Sequence, residues 1–272
     1  MHSILYKSKY TNQDVVWIKD ALTKEEIQAM SEYFDSKLDL MHDAYGTKDL
    51  HKILPIGPNL NLDRDIKLIC DRVHLPIENL IGDNWFLTGH PYGPHADAPE
   101  GDIAQYLHCV VPIRKSFVEE CSMIVFDQVS KVGTLTISGD STVDYEEANE
   151  YAGQDIDVDH PRFSDCKTIG LGSSKYLHYL TDQNISDDLY NELDNTASHH
   201  TRERFFGFTG KSYNWVPGDI IFFNSSQMHC SGKMPKDTNK LGITMLFKFD
   251  TVEECQSYKT NSKLNFKETY DA

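Results

Sequence analysis

Three side chains have types and spacing that could do chemistry. His95 and Asp97 are separated by one residue in Gly93-Pro94-His95-Ala96-Asp97, at the end of a β-type segment, and an extended chain puts both side chains on one face. This is the only His-x-Asp in the sequence. A third ligand must come from elsewhere, and His229 is the best candidate, because it follows a Pro217-Gly218-Asp219 turn, an apolar strand over 220–223 and a polar corner over 224–226. Two neutral imidazoles and one carboxylate suit a non-haem Fe(II) ion: three ligands cover one face and leave positions open for a second molecule and dioxygen. The remaining histidines offer less. His199 and His200 sit in a polar stretch, while His90, His108 and His178 lack a partner at ligand spacing. Cys230 adjoins His229, but alternation along a strand points it the other way, so it reads as packing.

These ligands need a scaffold. Residues 14–38 open with a short apolar run and then place Thr23 three residues before Glu26, the spacing of a capping box. The helix that follows carries Ile27, Met30 and Tyr33 or Phe34 on one face. A second amphipathic helix is expected over 62–74, with Ile66, Ile69 and Val73 on its apolar side. From about residue 84 the texture changes to short β-rich runs separated by turn residues. A polar, acidic stretch over about 139–203 interrupts the series, strands resume with FFGFTGKSYNWV, DIIFFNSS and KLGITMLFKF, and the tail beyond is polar and weakly patterned. No internal repeat is visible. Helices followed by many short strands predict a mainly β fold, a jelly-roll or cupin-like barrel rather than a βαβ architecture.

The His95-x-Asp97…His229 pattern resembles the Fe(II)- and 2-oxoglutarate-dependent oxygenases. Their double-stranded β-helix carries an H-x-D…H triad. NWFLTGHPYGPHAD is similar to the first iron-binding segment of that family, and the run from Trp215 through Ser225 to His229 is similar to the strand and turn that deliver its distal histidine. The resemblance covers roughly residues 84–249. It implies Fe(II) and 2-oxoglutarate as cofactor and co-substrate, and oxidative decarboxylation to succinate and carbon dioxide coupled to attack on a substrate C–H bond. It also implies a basic residue on the strand after the distal histidine, pairing with the far carboxylate of 2-oxoglutarate. Lys240 stands eleven residues after His229, with Thr244 four further on. Both would face inward on one strand, whereas Lys248 lies too far along. Many members use Arg here, and Lys keeps the charge while losing the bidentate fork. Tyr106 is a further candidate for the pocket, subject to the register of its strand. Halogenases related to this family replace the carboxylate with a small residue. Asp97 is retained, which favours hydroxylation or desaturation.

The expected organisation is one oxygenase domain over 1–272. It comprises a helical amino-terminal part over 1–83, a β-helix core over 84–249 with the insertion at about 139–203, and a tail over 250–272. Loops mounted on such a core commonly carry substrate contacts, so the insertion is expected to shape or cover the mouth of the site. The runs YLHCVVPI, SMIVFDQ and KLGITMLF are similar to oxygenase-like proteins of marine bacteria and their phages, which names no substrate.

Composition narrows the partners. A chain of 272 residues with 39% hydrophobic and 11% aromatic residues can bury a sizeable core. A formal charge of −16 opposes the phosphate backbone of a nucleic acid, leaving a small molecule or a protein side chain as the expected substrate. No stretch approaches the ~20 apolar residues of a membrane span, and the first residues lack the apolar core of a secretion signal. Six scattered cysteines without a C-x-x-C pair read as free thiols in a reducing compartment, so a cytoplasmic location is expected. Two rivals remain: a cupin-like metalloprotein of another class, and a non-catalytic β-barrel binding module.

Overall fold

The computed structural model of the chain describes residues 15–37, 42–43, 52–55, 63–89, 91, 93–97, 105–130, 135–136, 177–193 and 202–267. In chain order the elements are β1 (Val16–Ile18), α1 (Lys24–Asp35), β2 (His42–Asp43), β3 (Lys52–Pro55), α2 (Asp63–Val73), β4 (Leu80–Thr88), β5 (His95–Ala96), β6 (Tyr106–Lys115) and β7 (Ser122–Ser130). Then follow β8 (Leu135–Thr136), β9 (Leu177–His178), α3 (Asp187–Glu192), β10 (Gly210–Asn214), β11 (Ile220–Asn224), β12 (Gln227–Ser231), β13 (Lys240–Lys248) and α4 (Val252–Lys267).

The pairing is that of a long hairpin rolled up on itself. The antiparallel pairs are β4 with β13, β5 with β12, β6 with β11 and β7 with β10, so the first core strand meets the last and the order nests inward. Lateral pairing of β13 with β6 and of β12 with β7 closes the roll into two sheets. One sheet runs β1-β11-β6-β13-β4-β3-β2 and the other β10-β7-β12-β5-β8, with β9 also paired to β7. This is a double-stranded β-helix. The amino-terminal part contributes strands β1, β2 and β3 to the larger sheet as well as two helices, and β4 begins at Leu80, a few residues before the β texture is evident in sequence.

Period-two alternation divides every core strand between two surroundings. On the outer face of the larger sheet, Trp85, Leu107, Cys109, Val111, Phe222, Leu241, Ile243 and Phe247 pack with residues of the helices, including Met30, Phe34, Ile66, Ile69 and Val73. On the outer face of the smaller sheet, Ile124, Phe126, Met228 and Cys230 pack with Leu177, Ile185, Leu189, Phe205 and Phe208. Between the sheets lie Val110, Met123, Val125, Trp215, Ile221 and Phe223. Even-numbered residues of β6 and β13 and odd-numbered residues of β12 therefore face inward.

The helices form where their ends are satisfied and one face is apolar. Thr23 accepts from the Glu26 backbone N–H and Glu26 accepts from the Thr23 N–H, completing the capping box of α1. Arg114 on β6 grips Asp35 at the other end of α1 through two bonds of 2.6 Å. The tail, weakly patterned in sequence, begins instead with helix α4. Among its described side chains Val252, Cys255 and Lys259 are buried and Tyr258 packs against the core, donating its hydroxyl to the Val73 carbonyl.

The Pro217-Gly218-Asp219 turn aims β11. Gly218 has φ +93°, and a Cβ there would lie 2.7 Å from Ile27 Cδ1, so glycine serves both the backbone and the approach of α1. The Asp219 carboxylate then accepts from the Trp17 indole at 2.8 Å and from the Asp20 backbone N–H at 2.9 Å, pinning β1 to the start of β11. Replacing Asp219 by Ala leaves both donors unmatched. Urea unfolding of Asp219→Ala should show a loss of about 1–3 kcal/mol, and an unchanged midpoint would refute this role.

Candidate metal centre

The antiparallel register places His229 of β12 directly opposite His95 of β5. Asp97 follows two residues after His95 on the same inward face, and its backbone N–H donates to the Ser225 carbonyl at 3.0 Å, tying it to the corner between β11 and β12. That corner is internally braced: Gln227 Oε1 accepts from the Asn224 N–H and Asn224 Oδ1 accepts from the Ser226 N–H, each at 3.0 Å. The polar run preceding His229 thus holds the position of the histidine.

One donor atom from each of His95, Asp97 and His229 lies within 4.8 Å of the other two. The Nε2 atoms of His229 and His95 stand 3.3 and 3.7 Å from Asp97 Oδ2. Both rings turn Nε2 toward that point because Nδ1 is engaged behind it, with the Gly93 carbonyl at 2.7 Å for His95 and the Gln227 carbonyl at 3.0 Å for His229. A carbonyl accepts only from N–H, so Nδ1 carries the hydrogen and Nε2 presents a lone pair. Two ligand bonds of about 2.0–2.2 Å meeting at right angles separate their donors by about 3 Å, so the set fits a transition-metal ion with small adjustment. Exposure falls from Asp97 at 40% through His95 at 22% to His229 at 5%, placing the set at the rim with His229 innermost.

Charge balance agrees with this chemistry. Burial opposes ionisation of Asp97, but the surrounding imidazoles of His95, His229 and His108 outweigh it and hold the carboxyl well below its ordinary range. Burial, reinforced by neighbouring His229, lowers the His95 pKa and keeps that ring neutral. Neutral imidazoles and an ionised carboxylate are the forms that bind metal.

Lys240 opens β13 on the inner face and is 2% exposed. Its ammonium donates to Ser231 Oγ at 2.9 Å and sits 4.4 Å from the centre of the Trp215 ring. Ser231 shares the inward face of β12 with His229, so the ammonium lies one inward side-chain position from the metal set, a rise of roughly 7 Å along the strand. Among the described residues no carboxylate pairs with it, and the buried Trp215 Nε1–H has no acceptor. Burial brings the Lys240 pKa down to about 8. A buried cation without a carboxylate partner fits an anionic ligand. Gly242 makes room for this arrangement, since a Cβ there would meet Trp215 Cη2 at 2.9 Å and Phe86 Cζ at 2.7 Å.

Thr244 faces inward as expected, but its hydroxyl is engaged by His108 Nε2 in a short hydrogen bond. His108 had no partner at ligand spacing in the sequence, and the structure corrects that view: its Nδ1 lies 3.4 Å from Asp97 Oδ2. Its ring packs 4.8 Å from Phe223 and 5.3 Å from His229, centre to centre. Burial drives its pKa down to about 3, although Asp97 pulls the other way. Finding it in advance requires the lateral register of β6, because no local motif marks it. Tyr106 is two residues from His108 on the same face, with the Lys248 ammonium 5.9 Å from its ring centre. His90, His199 and His200 lie outside the described residues, and Cys230 packs on the outer face of the smaller sheet.

The expectation for the 139–203 insertion falls largely outside the described residues. Its described part, 177–193 with 202–203, includes β9 and α3, and Ile185, Leu189 and Leu193 pack on the outer face of the smaller sheet. No helix among the described residues is long and apolar enough to cross a membrane.

Several solved structures are similar to the chain. The α-ketoglutarate-dependent epimerase SnoN from nogalamycin biosynthesis shares 13% identity at a TM-score of 0.46, over 92% of this chain and 85% of that one. The carbocyclase SnoK from the same biosynthesis shares 13% at 0.47, over 89% and 82%. A Pseudomonas putida prolyl-4-hydroxylase shares 12% at 0.41, over 92% and 100%. No family model and no curated protein sequence matches the chain. At such identities the reading of the site rests on this chain's own geometry.

That geometry makes Lys240 a destabilising group in the ligand-free chain. Its folded pKa of about 8 lies below the ordinary value of about 10.4, so the cost is fully present below pH 8. It fades as pH rises between the two values, where the unfolded chain binds more protons. Lys240→Met should therefore raise stability at pH 7 by about 1–3 kcal/mol, and the advantage should shrink by pH 9.5. Urea midpoints for both proteins at the two pH values check this. A variant less stable at pH 7 would show that Ser231 and Trp215 already compensate the charge.

Proposed function

We propose that the chain is an oxygenase of one domain that uses Fe(II) and 2-oxoglutarate, with His95, Asp97 and His229 as metal ligands and Lys240 as the anchor of the co-substrate. The observation that carries this reading is the convergence of two lone-pair Nε2 atoms and one carboxylate on a single point of the inner face. The buried Lys240 ammonium, which donates to Ser231 and has no carboxylate partner among the described residues, supports the choice of an anionic co-substrate.

An iron(II) ion in this set supplies the redox chemistry by which 2-oxoglutarate, dioxygen and a substrate C–H bond give succinate, carbon dioxide and a C–OH group. The protein places the reactants. The Gly93 and Gln227 carbonyls hold the rings of His95 and His229 in one tautomer and one orientation. Lys240 offers a carboxylate a charge-assisted bond in a site that excludes water, where such a bond is worth more than in solution. Phe223, 4.7 Å from the His229 ring, walls off one side of that imidazole. Asp97 occupies the ligand position that a halide would need, so hydroxylation or desaturation is favoured. The substrate class is a small molecule or a protein side chain, and the net charge of −16 disfavours a polyanion.

The test is release of succinate from 2-oxoglutarate by the full chain given Fe(II) and oxygen, first without substrate and then across a substrate screen. An Asp97→Ala/His229→Ala double variant should lose this turnover together with the tight Mn(II) site seen by calorimetric titration. Intact metal binding without succinate would point to a cupin-like metalloprotein of another class. Absence of metal binding would leave a non-catalytic β-barrel module.

Lys240→Ala should raise the apparent Michaelis constant for 2-oxoglutarate by one to two orders of magnitude, since a charge-assisted bond to a buried carboxylate contributes about 1.5–3 kcal/mol. The same constant in variant and parent would move the anchor elsewhere.

A further inference from the structure

His108 has two nitrogens with different surroundings. Nε2 meets the Thr244 hydroxyl, while Nδ1 is buried, makes no hydrogen bond and faces Asp97 Oδ2 at 3.4 Å. The residue stands outside the set of donors that converge on one point. It is therefore a neighbour of the carboxylate rather than a fourth member of the set.

The tautomer follows from the acceptors. The lone pairs of His95 and His229 would share a metal ion with Asp97, but His108 lies outside that set. If its Nε2 carried the hydrogen, its Nδ1 lone pair would face the ionised carboxylate with no cation between them, a repulsive contact. With hydrogen on Nδ1 the same contact becomes attractive, at 3.4 Å a few tenths of an ångström longer than an ordinary bond and closed by a small turn of the carboxylate. Nε2 must then accept, and Thr244 Oγ–H is the donor beside it. Thr244 and His108 are held at this spacing by the pairing of β13 with β6, where Thr244 lies opposite Val110, two residues from His108 on the same face.

We propose that His108 is a positioning residue for the metal centre, in which Thr244 Oγ–H donates to Nε2 and Nδ1–H donates to the Asp97 carboxylate, fixing the rotation of that side chain. The inference rests on Asp97 being a ligand, as in the function proposed above, and is independent of 2-oxoglutarate. Asp97 needs such a partner. It follows a strand of two residues, its side chain is 40% exposed, and the bond from its own backbone to Ser225 leaves the carboxylate free to turn. Partners that orient ligands in this way typically contribute 10- to 100-fold in metal affinity.

The experiment uses the full chain and Mn(II) alone, with free ion read by electron paramagnetic resonance. His108→Phe keeps a ring against Phe223 but removes both nitrogens, and should weaken Mn(II) binding about 10- to 100-fold. His108→Asn can place an amide N–H near the original Nδ1 and should recover most of the loss. Nitrogen-15 spectra of histidine-labelled parent should show the hydrogen of His108 on Nδ1, and Thr244→Val should erase that preference and weaken Mn(II) binding. A dissociation constant for folded His108→Phe within twofold of the parent would overturn the proposal, as would a parent spectrum showing the Nε2–H form. If His108→Phe does not fold, the spectrum and the Thr244→Val constant decide. A parent that binds no Mn(II) overturns the metal centre and this inference together. A parent that binds Mn(II) but forms no succinate overturns only the proposed oxygenase, leaving His108 to be judged on affinity.

Discussion

The antiparallel pairing of β5 with β12 is the contact on which the site depends. It involves one residue pair, His95 and His229, and opposite residues on neighbouring antiparallel strands sit about 4.5–5.5 Å apart at Cα. Two imidazoles so close, each tied behind through Nδ1, can only present Nε2 to the same region. Asp97 enters that region because a strand repeats every second residue. A slip of one residue in β12 would exchange His229 for Met228 or Cys230 and bring a hydrophobic side chain between the sheets. The braced corner over 224–227 guards against that slip.

The same alternation explains why polar groups are tolerated inside. His95 and His229 of the smaller sheet and His108, Thr244 and Lys240 of the larger sheet point into the space between the two, where Phe223, Val110, Val125 and Trp215 supply apolar filling. Each histidine has a named neighbour for at least one nitrogen. Lys240 is the exception in kind, being a cation whose nearest partners are a hydroxyl and an aromatic ring. Such a group costs stability unless something anionic arrives.

The fold was legible where the sequence repeats a period or carries a cap. Thr23 and Glu26 announced α1, the spacing of Ile66, Ile69 and Val73 announced α2, and the alternating runs after residue 84 announced a β barrel. For the site, the single His-x-Asp and the turn before His229 named residues that the structure brings together. His108 escaped notice because its relation to Asp97 runs across strands, and lateral register is not written in any one strand. Ser231 and Trp215 escaped for the same reason. Helix α4 escaped because its few apolar residues, scattered among many polar ones, do not rise above a loop pattern.

One consequence concerns chemical self-protection. Next to His229 stands Cys230, a side chain that oxidants attack readily as thiolate. Strand geometry turns its sulfur to the far side of the smaller sheet, among Phe126, Phe205 and Phe208, and burial pushes its pKa up so that it stays a thiol. Cys109 is separated from His108 in the same way, on the helix side of the larger sheet, and its thiol is also held protonated. For these two cysteines each sheet thus acts as a partition, keeping the sulfur on the far side of the backbone from the neighbouring histidine and in its least reactive form.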